Sequence, residues 1–88
     1  MPDTFTYYAI LDDQTTPAQP IGLVRRREFA DGGFADEGLH RDLNWHRTPA
    51  IVEWEHGNFP DELMMVSEEE AERIIERFRE RWVGNAQA

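Results

Sequence analysis

The segment SEEEAERIIERFRERWV, residues 67–83, decides the fold of this chain. Ser67 and Glu70 have the spacing of a capping box at the start of a helix, and Gly84 can adopt the left-handed conformation of a C-cap. A helix with one apolar face needs an apolar surface to cover, so the rest of the chain is expected to provide one. The apolar residues recur at the three- and four-residue intervals that place them on one helical face; they are Ala71, Ile74, Ile75, Phe78 and Trp82.

Three upstream segments have the composition of β-strands. Residues 5–12 (FTYYAILD) are β-branched and aromatic, with apolar side chains on both faces, which predicts a strand inside a sheet and not at its edge. Residues 21–29 (IGLVRRREF) predict a second strand, and the sequence DGG at residues 31–33 predicts a hairpin turn after it. Residues 63–66 predict a short last strand that leads into the helix.

The middle of the chain is less regular. Residues 35–47 (ADEGLHRDLNWHR) alternate as a strand centred on residues 39–45, or align as a helix that Gly38 would destabilise by up to about 1 kcal/mol. We favour the strand, and both interpretations stay open. Residues 50–56 (AIVEWEH) alternate between apolar and acidic side chains, which predicts a half-buried strand.

Together these elements predict a single α+β domain over residues 1–88. It consists of an antiparallel sheet of about four or five strands with one long C-terminal helix packed on one face. The absence of cysteine excludes disulfides and thiolate sites. No apolar stretch approaches the roughly 20 residues of a membrane span, and the N-terminus lacks the pattern of a signal peptide. A cytoplasmic protein without membrane contact is expected.

The net charge of −9 indicates which partners suit the chain. Nucleic acid is disfavoured, because phosphate contacts need clustered cations, whereas a basic protein would be attracted. The one basic cluster is Arg25, Arg26 and Arg27, in which the middle side chain points to the opposite face of a strand. We favour structural ion pairs with carboxylates on neighbouring strands, such as Glu53 and Glu55. The alternative is an anion or nucleic-acid contact supported by neighbouring aromatic side chains, namely Tyr7, Tyr8 or Trp54.

The residues capable of catalysis or metal binding form no recognisable motif. His40, His46 and His56 could act as metal ligands together with Glu53 or Glu55, but their spacing matches no ligand signature. The only serine, Ser67, is already assigned to the helix cap. Two acidic pairs, Asp12-Asp13 and Asp61-Glu62, lie at loop edges, where aspartate is common in turns. We therefore predict no catalytic residues, no cofactor and no metal, and a small metal-dependent enzyme is the least favoured function.

The aromatic residues suggest an interaction surface. Trp82 ends the apolar stripe of the helix and belongs to the core. If one helix covers one face of the sheet, apolar side chains on the other face are available to a protein partner or to a second copy of the chain. The predicted contact residues are Tyr8, Trp45 and Trp54, with Arg26 as a charged anchor. The sequence thus predicts a non-catalytic acidic protein-binding module, which could be a homodimer. The alternative is an inhibitor or nucleic-acid mimic whose acidic surface occupies a basic groove.

Four short runs carry a resemblance to known sequences. YYAILDD (residues 7–13), PIGLVRR (20–26), RDLNW (41–45) and SEEEAERI (67–74) resemble segments of small uncharacterised proteins of actinobacteria. All nine basic residues are arginine, which is compatible with such a source. The resemblance implies a small standalone protein and no particular chemistry.

Overall fold

Five strands form one antiparallel sheet, and helices lie on both of its faces. The computed structural model describes residues 3–16 and 19–86. The strand order is β4-β3-β2-β1-β5. This architecture confirms the predicted α+β class and antiparallel sheet. In chain order the elements are β1 (Thr4–Leu11), β2 (Gly22–Glu28), β3 (Phe34–Leu39), β4 (Trp45–Arg47), α1 (Ala50–Glu55), β5 (Glu62–Val66) and α2 (Glu68–Ala86).

Strand β1 lies inside the sheet, as its sequence predicts. It pairs with β2 on one side and with β5 on the other. Ala9 is fully buried against α2, while Tyr8 and Ile10 pack on the opposite face. Helices cover the sheet on both faces, so β1 buries apolar side chains on each of them. We refer to the two faces as the α2 face and the α1 face, after the helix that each one carries.

The predicted hairpin after β2 is confirmed. Gly32 has a φ of +98°, a conformation that glycine adopts without a steric penalty. The Gly33 amide donates to Asp31 Oδ1 at 3.1 Å, and the Phe29 amide donates to the Gly33 carbonyl at 2.7 Å. The turn therefore sets the register between β2 and β3, in which Arg26 lies opposite Asp36.

Residues 35–47 form neither the favoured continuous strand nor the alternative helix. They are a second hairpin, in which β3 ends at Leu39 and β4 begins at Trp45. The Asn44 amide donates to Asp42 Oδ1 at 2.9 Å, and Leu43 has a φ of +63°. This local turn reverses the chain in the middle of the predicted strand. Asp and Asn stabilise turns because their short side chains bond to nearby backbone groups.

The strand predicted at residues 50–56 is wrong, because α1 is a short helix. Glu53 donates its amide to the Pro49 carbonyl at 2.9 Å, and Ala50 and Ile51 are buried. A segment of six residues is compatible with both the two-residue period of a strand and the 3.6-residue period of a helix. In a strand Val52 and Trp54 would share a face, whereas in a helix Ile51 and Trp54 share one. Burial of Ile51 against the sheet selects the helical grouping. The face expected to be bare is therefore partly covered.

Helix α2 confirms the long C-terminal helix on one face of the sheet. At its start the Glu70 amide donates to Ser67 Oγ at 3.1 Å, and the Ser67 hydroxyl donates to Glu70 Oε1 at 3.2 Å. The predicted cap at Gly84 is wrong, since the helix continues to Ala86; glycine permits a left-handed cap but does not impose one. Within residues 3–16 and 19–86, no helix has the length and apolar character needed to cross a membrane.

Each face has its own buried cluster. The α2 face buries the larger one, in which the Trp82 ring stacks on Phe78 with centroids 4.6 Å apart. The α1 face buries a smaller cluster, with Tyr8, Ile10, Trp54 and Phe59 at its border. The buried residues of the α2 face are Ala9, Leu23, Leu39, Val66, Ala71, Ile74 and Phe78, and those of the α1 face are Val24, Ala50, Ile51 and Leu63.

Candidate functional site

The basic cluster of β2 divides between the two faces, as its alternation predicts. Arg26 lies on the α1 face and makes two bonds to Asp36, from Nε to Oδ1 at 2.8 Å and from Nη2 to Oδ2 at 3.0 Å. It also donates to Glu55, from Nη2 at 3.0 Å and from Nη1 at 3.3 Å. One guanidinium thus joins a neighbouring strand to helix α1. The pairing with Glu55 confirms the ion pair predicted from sequence, although the carboxylate comes from a helix and not from a strand.

Burial makes this pairing strong. The Asp36 side chain is 5% exposed and that of Arg26 is 18% exposed. The hydrogen bond with Asp36 raises the pKa of Arg26 above its ordinary value, although burial acts in the opposite direction. The hydrogen bond with Arg26 lowers the pKa of Glu55. Across the described residues, every buried side-chain nitrogen or oxygen has a hydrogen-bond partner, so this cluster is complete within the chain.

The other two arginines of β2 pair on the α2 face. Arg25 Nε donates to Glu37 at 2.9 Å, and its guanidinium carbon lies 4.1 Å from the centre of the Trp45 ring. Arg27 Nε donates to Asp3 Oδ2 at 2.8 Å. All three arginines therefore pair with carboxylates of this chain, which confirms the structural interpretation. A role for Arg26 as an anchor for a partner stays a prediction.

The four predicted contact residues do not form one surface. Tyr8 and Trp54 pack against each other on the α1 face, with ring centroids 6.0 Å apart, and Arg26 lies on the same face. Trp45 lies on the α2 face, where it packs against Tyr7 at 6.2 Å. Tyr8, Trp45 and Trp54 are all partly buried. They contribute to the borders of the two cores more than to an open surface.

Two histidines predicted as possible ligands do come together. The rings of His40 and His46 lie across the β3–β4 hairpin with centroids 4.2 Å apart, and His46 Nε2 is 2.8 Å from Asp42 Oδ2. The Asn44 amide and then His46 lower the pKa of Asp42. His56 follows α1. In the parts of the chain that the structure covers, no three potential ligands are placed to hold a metal ion.

The two acidic pairs lie together, which the sequence did not predict. Leu11 of β1 pairs with Glu62 of β5, so the loops that follow β1 and precede β5 meet. Asp12, Asp13, Asp61 and Glu62 line a shallow groove of about 330 Å³. The Asp12 carboxylate accepts the Gln14 amide at 2.8 Å, as in an ordinary Asx turn. This acidic groove lies at one end of β5.

Strand β5 presents an open edge with exposed apolar side chains. Over residues 3–16 and 19–86, β1 is the only strand that pairs with it. Met64 and Met65 are 46% and 64% exposed, and they lie on opposite faces because neighbouring side chains in a strand alternate. An edge strand offers unpaired backbone N–H and C=O groups to another chain. The adjacent methionines in the sequence ELMMV were the signal for this surface.

The opposite edge of the sheet consists of β4 and, beyond its end, of residues 34–36 of β3, where Phe34 is 54% exposed. Strand β4 has only three residues, Trp45–Arg47, and two of them, His46 and Arg47, are exposed and polar. Short length and charged side chains are ordinary means of preventing edge-to-edge association. β5 has five residues, and Glu62 is its only charged one. The two edges therefore differ in their capacity to pair with another strand.

Comparison of the sequence with protein-family models, with curated proteins and with solved structures finds no match.

Proposed function

We propose that this protein is a protein-binding module whose binding surface is the open edge of β5. The observation that carries the proposal is the exposure of Met64 and Met65 on an edge strand whose other side is paired throughout with β1. An incoming extended segment would continue the sheet through main-chain hydrogen bonds. Side chains of that segment would cover one methionine on each face.

The energetics of strand addition favour this edge. Fully burying a methionine side chain contributes about 1.5–3 kcal/mol, so covering the exposed parts of both residues supplies roughly 2–3 kcal/mol. Each main-chain hydrogen bond adds about 0.5–1.5 kcal/mol. Methionine also adapts to partner side chains of different shapes, because it is flexible and polarisable.

The predicted contact residues have a secondary place in this proposal. Tyr8 pairs with Met65 in the register between β1 and β5, so it lies beside the open edge on the α1 face. Trp45 lies on β4, at the edge of the sheet opposite β5. The proposal therefore moves the centre of the binding surface from the tryptophans to β5.

An acidic mimic has weaker support than strand addition. The outer face of α2 carries a row of glutamates that could face a basic groove, but Arg73 and Arg77 line the same shallow depression. Glu76 is also paired with Arg79 at 3.4 Å. Mixed charge of this kind gives no uniform negative surface. Binding by mimicry would depend steeply on salt, whereas an apolar edge would not.

Selection from a random peptide library tests the proposal. We expect binders that shift the backbone amide NMR signals of β5, and we expect Met65→Lys to abolish their binding, because an edge lysine opposes strand addition. Ile21→Lys is the matched control, since Ile21 is 43% exposed and directly precedes β2, which β1 separates from the β5 edge. Binders that shift other regions, or that tolerate Met65→Lys, would contradict the proposal.

A further inference from the structure

We infer that the segment bound by β5 is an extended stretch of another protein with basic residues at both of its ends, and not a second copy of this chain. This inference rests on the proposed function, and it identifies the partner's chemistry from the charges that flank the edge. Asp61 and Glu62 stand at one end of β5, next to the acidic groove that also contains Asp12 and Asp13.

The other end of β5 is acidic as well. Helix α2 begins directly after the strand, and its first three residues, Glu68, Glu69 and Glu70, are all exposed. At about 3.3 Å per residue, the six steps from residue 61 to residue 67 place these two acidic ends roughly 20 Å apart. A partner strand that fits this edge has an apolar core of about five residues between two basic ends. Because both ends of β5 are acidic, the charges admit either strand direction.

A second copy fits this edge poorly. A two-fold arrangement would pair β5 with itself, which sets Met64 against Met64 of the other copy. It would also bring Asp61 and Glu62 close to the acidic start of the other α2. Like charges facing each other at both ends of a short interface oppose association, and each copy carries a net charge of −9.

The test uses two nine-residue peptides with the same apolar core, Val-Ile-Val-Ile-Val, one flanked by two arginines at each end and the other by two glutamates. We expect the basic peptide to bind β5 about tenfold more tightly at low salt, because its arginines are attracted to the acidic ends of β5 and the glutamates of the other peptide are repelled. The difference should shrink at high ionic strength. Isothermal titration calorimetry gives the affinities, and amide shifts give the location.

Charge reversal in the protein supplies the matched comparison. Asp61→Lys with Glu68→Lys, two positions that flank β5 and lie outside it, should remove or invert the preference for the basic peptide. The double variant Glu72→Lys with Glu80→Lys changes the net charge by the same amount, but on the outer face of α2. It should therefore keep the preference for the basic peptide. Unfolding midpoints of both double variants establish that each is folded.

The outcomes separate the inference from the proposed function. Equal binding of both peptides at β5 would overturn the inference and leave the strand-addition function standing. Binding of neither peptide at β5 would count against the function itself. A dimer of the protein alone at micromolar concentration, dissociated by Met65→Lys but not by Ile21→Lys, would also overturn the inference, because the edge would then serve a second copy.

Discussion

The two faces of the sheet are stabilised by different interactions. The α2 face is covered by a helix of 19 residues, and its centre is an apolar cluster around Phe78. The α1 face carries a helix of six residues, which buries few apolar side chains beyond Ala50 and Ile51. There the ion-paired cluster of Arg26, Asp36 and Glu55 ties the short helix to the sheet. The short helix thus adds a half-exposed ion pair, Arg26–Glu55, to its limited apolar contact with the sheet, whereas the long helix packs through apolar side chains.

The largest effect is expected at the centre of the α2 face. Phe78→Ala removes a ring that is 1% exposed and should lower the free energy of unfolding by about 3–5 kcal/mol, measured by urea denaturation. Val83→Ala, at an exposed position of the same helix, should change it by less than about 0.5 kcal/mol. Equal effects of the two substitutions would show that α2 does not pack as described.

A smaller effect is expected from the charge pair of the α1 face. Asp36→Asn leaves Arg26 with a single carboxylate partner, and the loss of a hydrogen-bonded charge costs about 1.5–3 kcal/mol. Glu55→Gln should cost less, because the Glu55 side chain is 46% exposed. Thermal unfolding of both variants shows which substitution causes the larger loss of stability. A larger loss from Glu55→Gln would contradict the assignment of Asp36 as the principal partner.

The border of the α2 face should show a still smaller effect. Arg25 stacks on Trp45 and bonds to Glu37, and lysine cannot reproduce the planar contact. Arg25→Lys should therefore lower stability by about 0.5–1 kcal/mol, the usual contribution of a cation–π contact. Repeating the substitution in a Trp45→Leu background provides the control. If Arg25→Lys costs as much there, stacking is not the cause.

The smallest effect concerns the acid sensitivity of the α1 face. Arg26 lowers the pKa of Glu55, so the pairing stabilises the fold above the ordinary glutamate pKa of about 4.5 and loses this contribution as the pH falls through the lowered value. An NMR titration of the carboxyl carbons should find the pKa of Glu55 below that value, and Arg26→Gln should raise it. The pKa of Asp42 should not respond, since the Asn44 amide and His46 are what lower it. A pKa of Glu55 that ignores Arg26→Gln would contradict the pairing.

The same contrast explains which parts of the fold could be predicted from the sequence. The α2 face followed from periodicity, because 17 residues with a consistent apolar stripe and the Ser67–Glu70 cap fit only a helix. On the α1 face, residues 50–56 are too few to distinguish a helical period from a strand period. Their conformation depends on how Ile51 is buried, which is a tertiary contact.

The proposed binding site was less predictable than the fold. Strand alternation placed the side chain of Arg26 on the other face of the sheet from Arg25 and Arg27. Its pairing with Asp36, however, depends on the register of the β2–β3 hairpin. Trp45 and Trp54 were predicted as contact residues because they are large and apolar, but their exposure depends on which side chains pack over them. Whether β5 is an edge strand is a property of sheet topology, and Met64 and Met65 acquire their importance only from it.

Under the proposed function, the difference in length and polarity between the two edge strands, β4 and β5, would also limit association of molecules through their sheet edges. A fibre that grows by pairing of edge strands needs a strand able to pair at both edges of each subunit, because every added subunit must bind the next one. Edge strand β4 is only three residues long, and two of them, His46 and Arg47, are polar and exposed. If β5 binds an extended segment as we propose, we expect one bound segment per molecule.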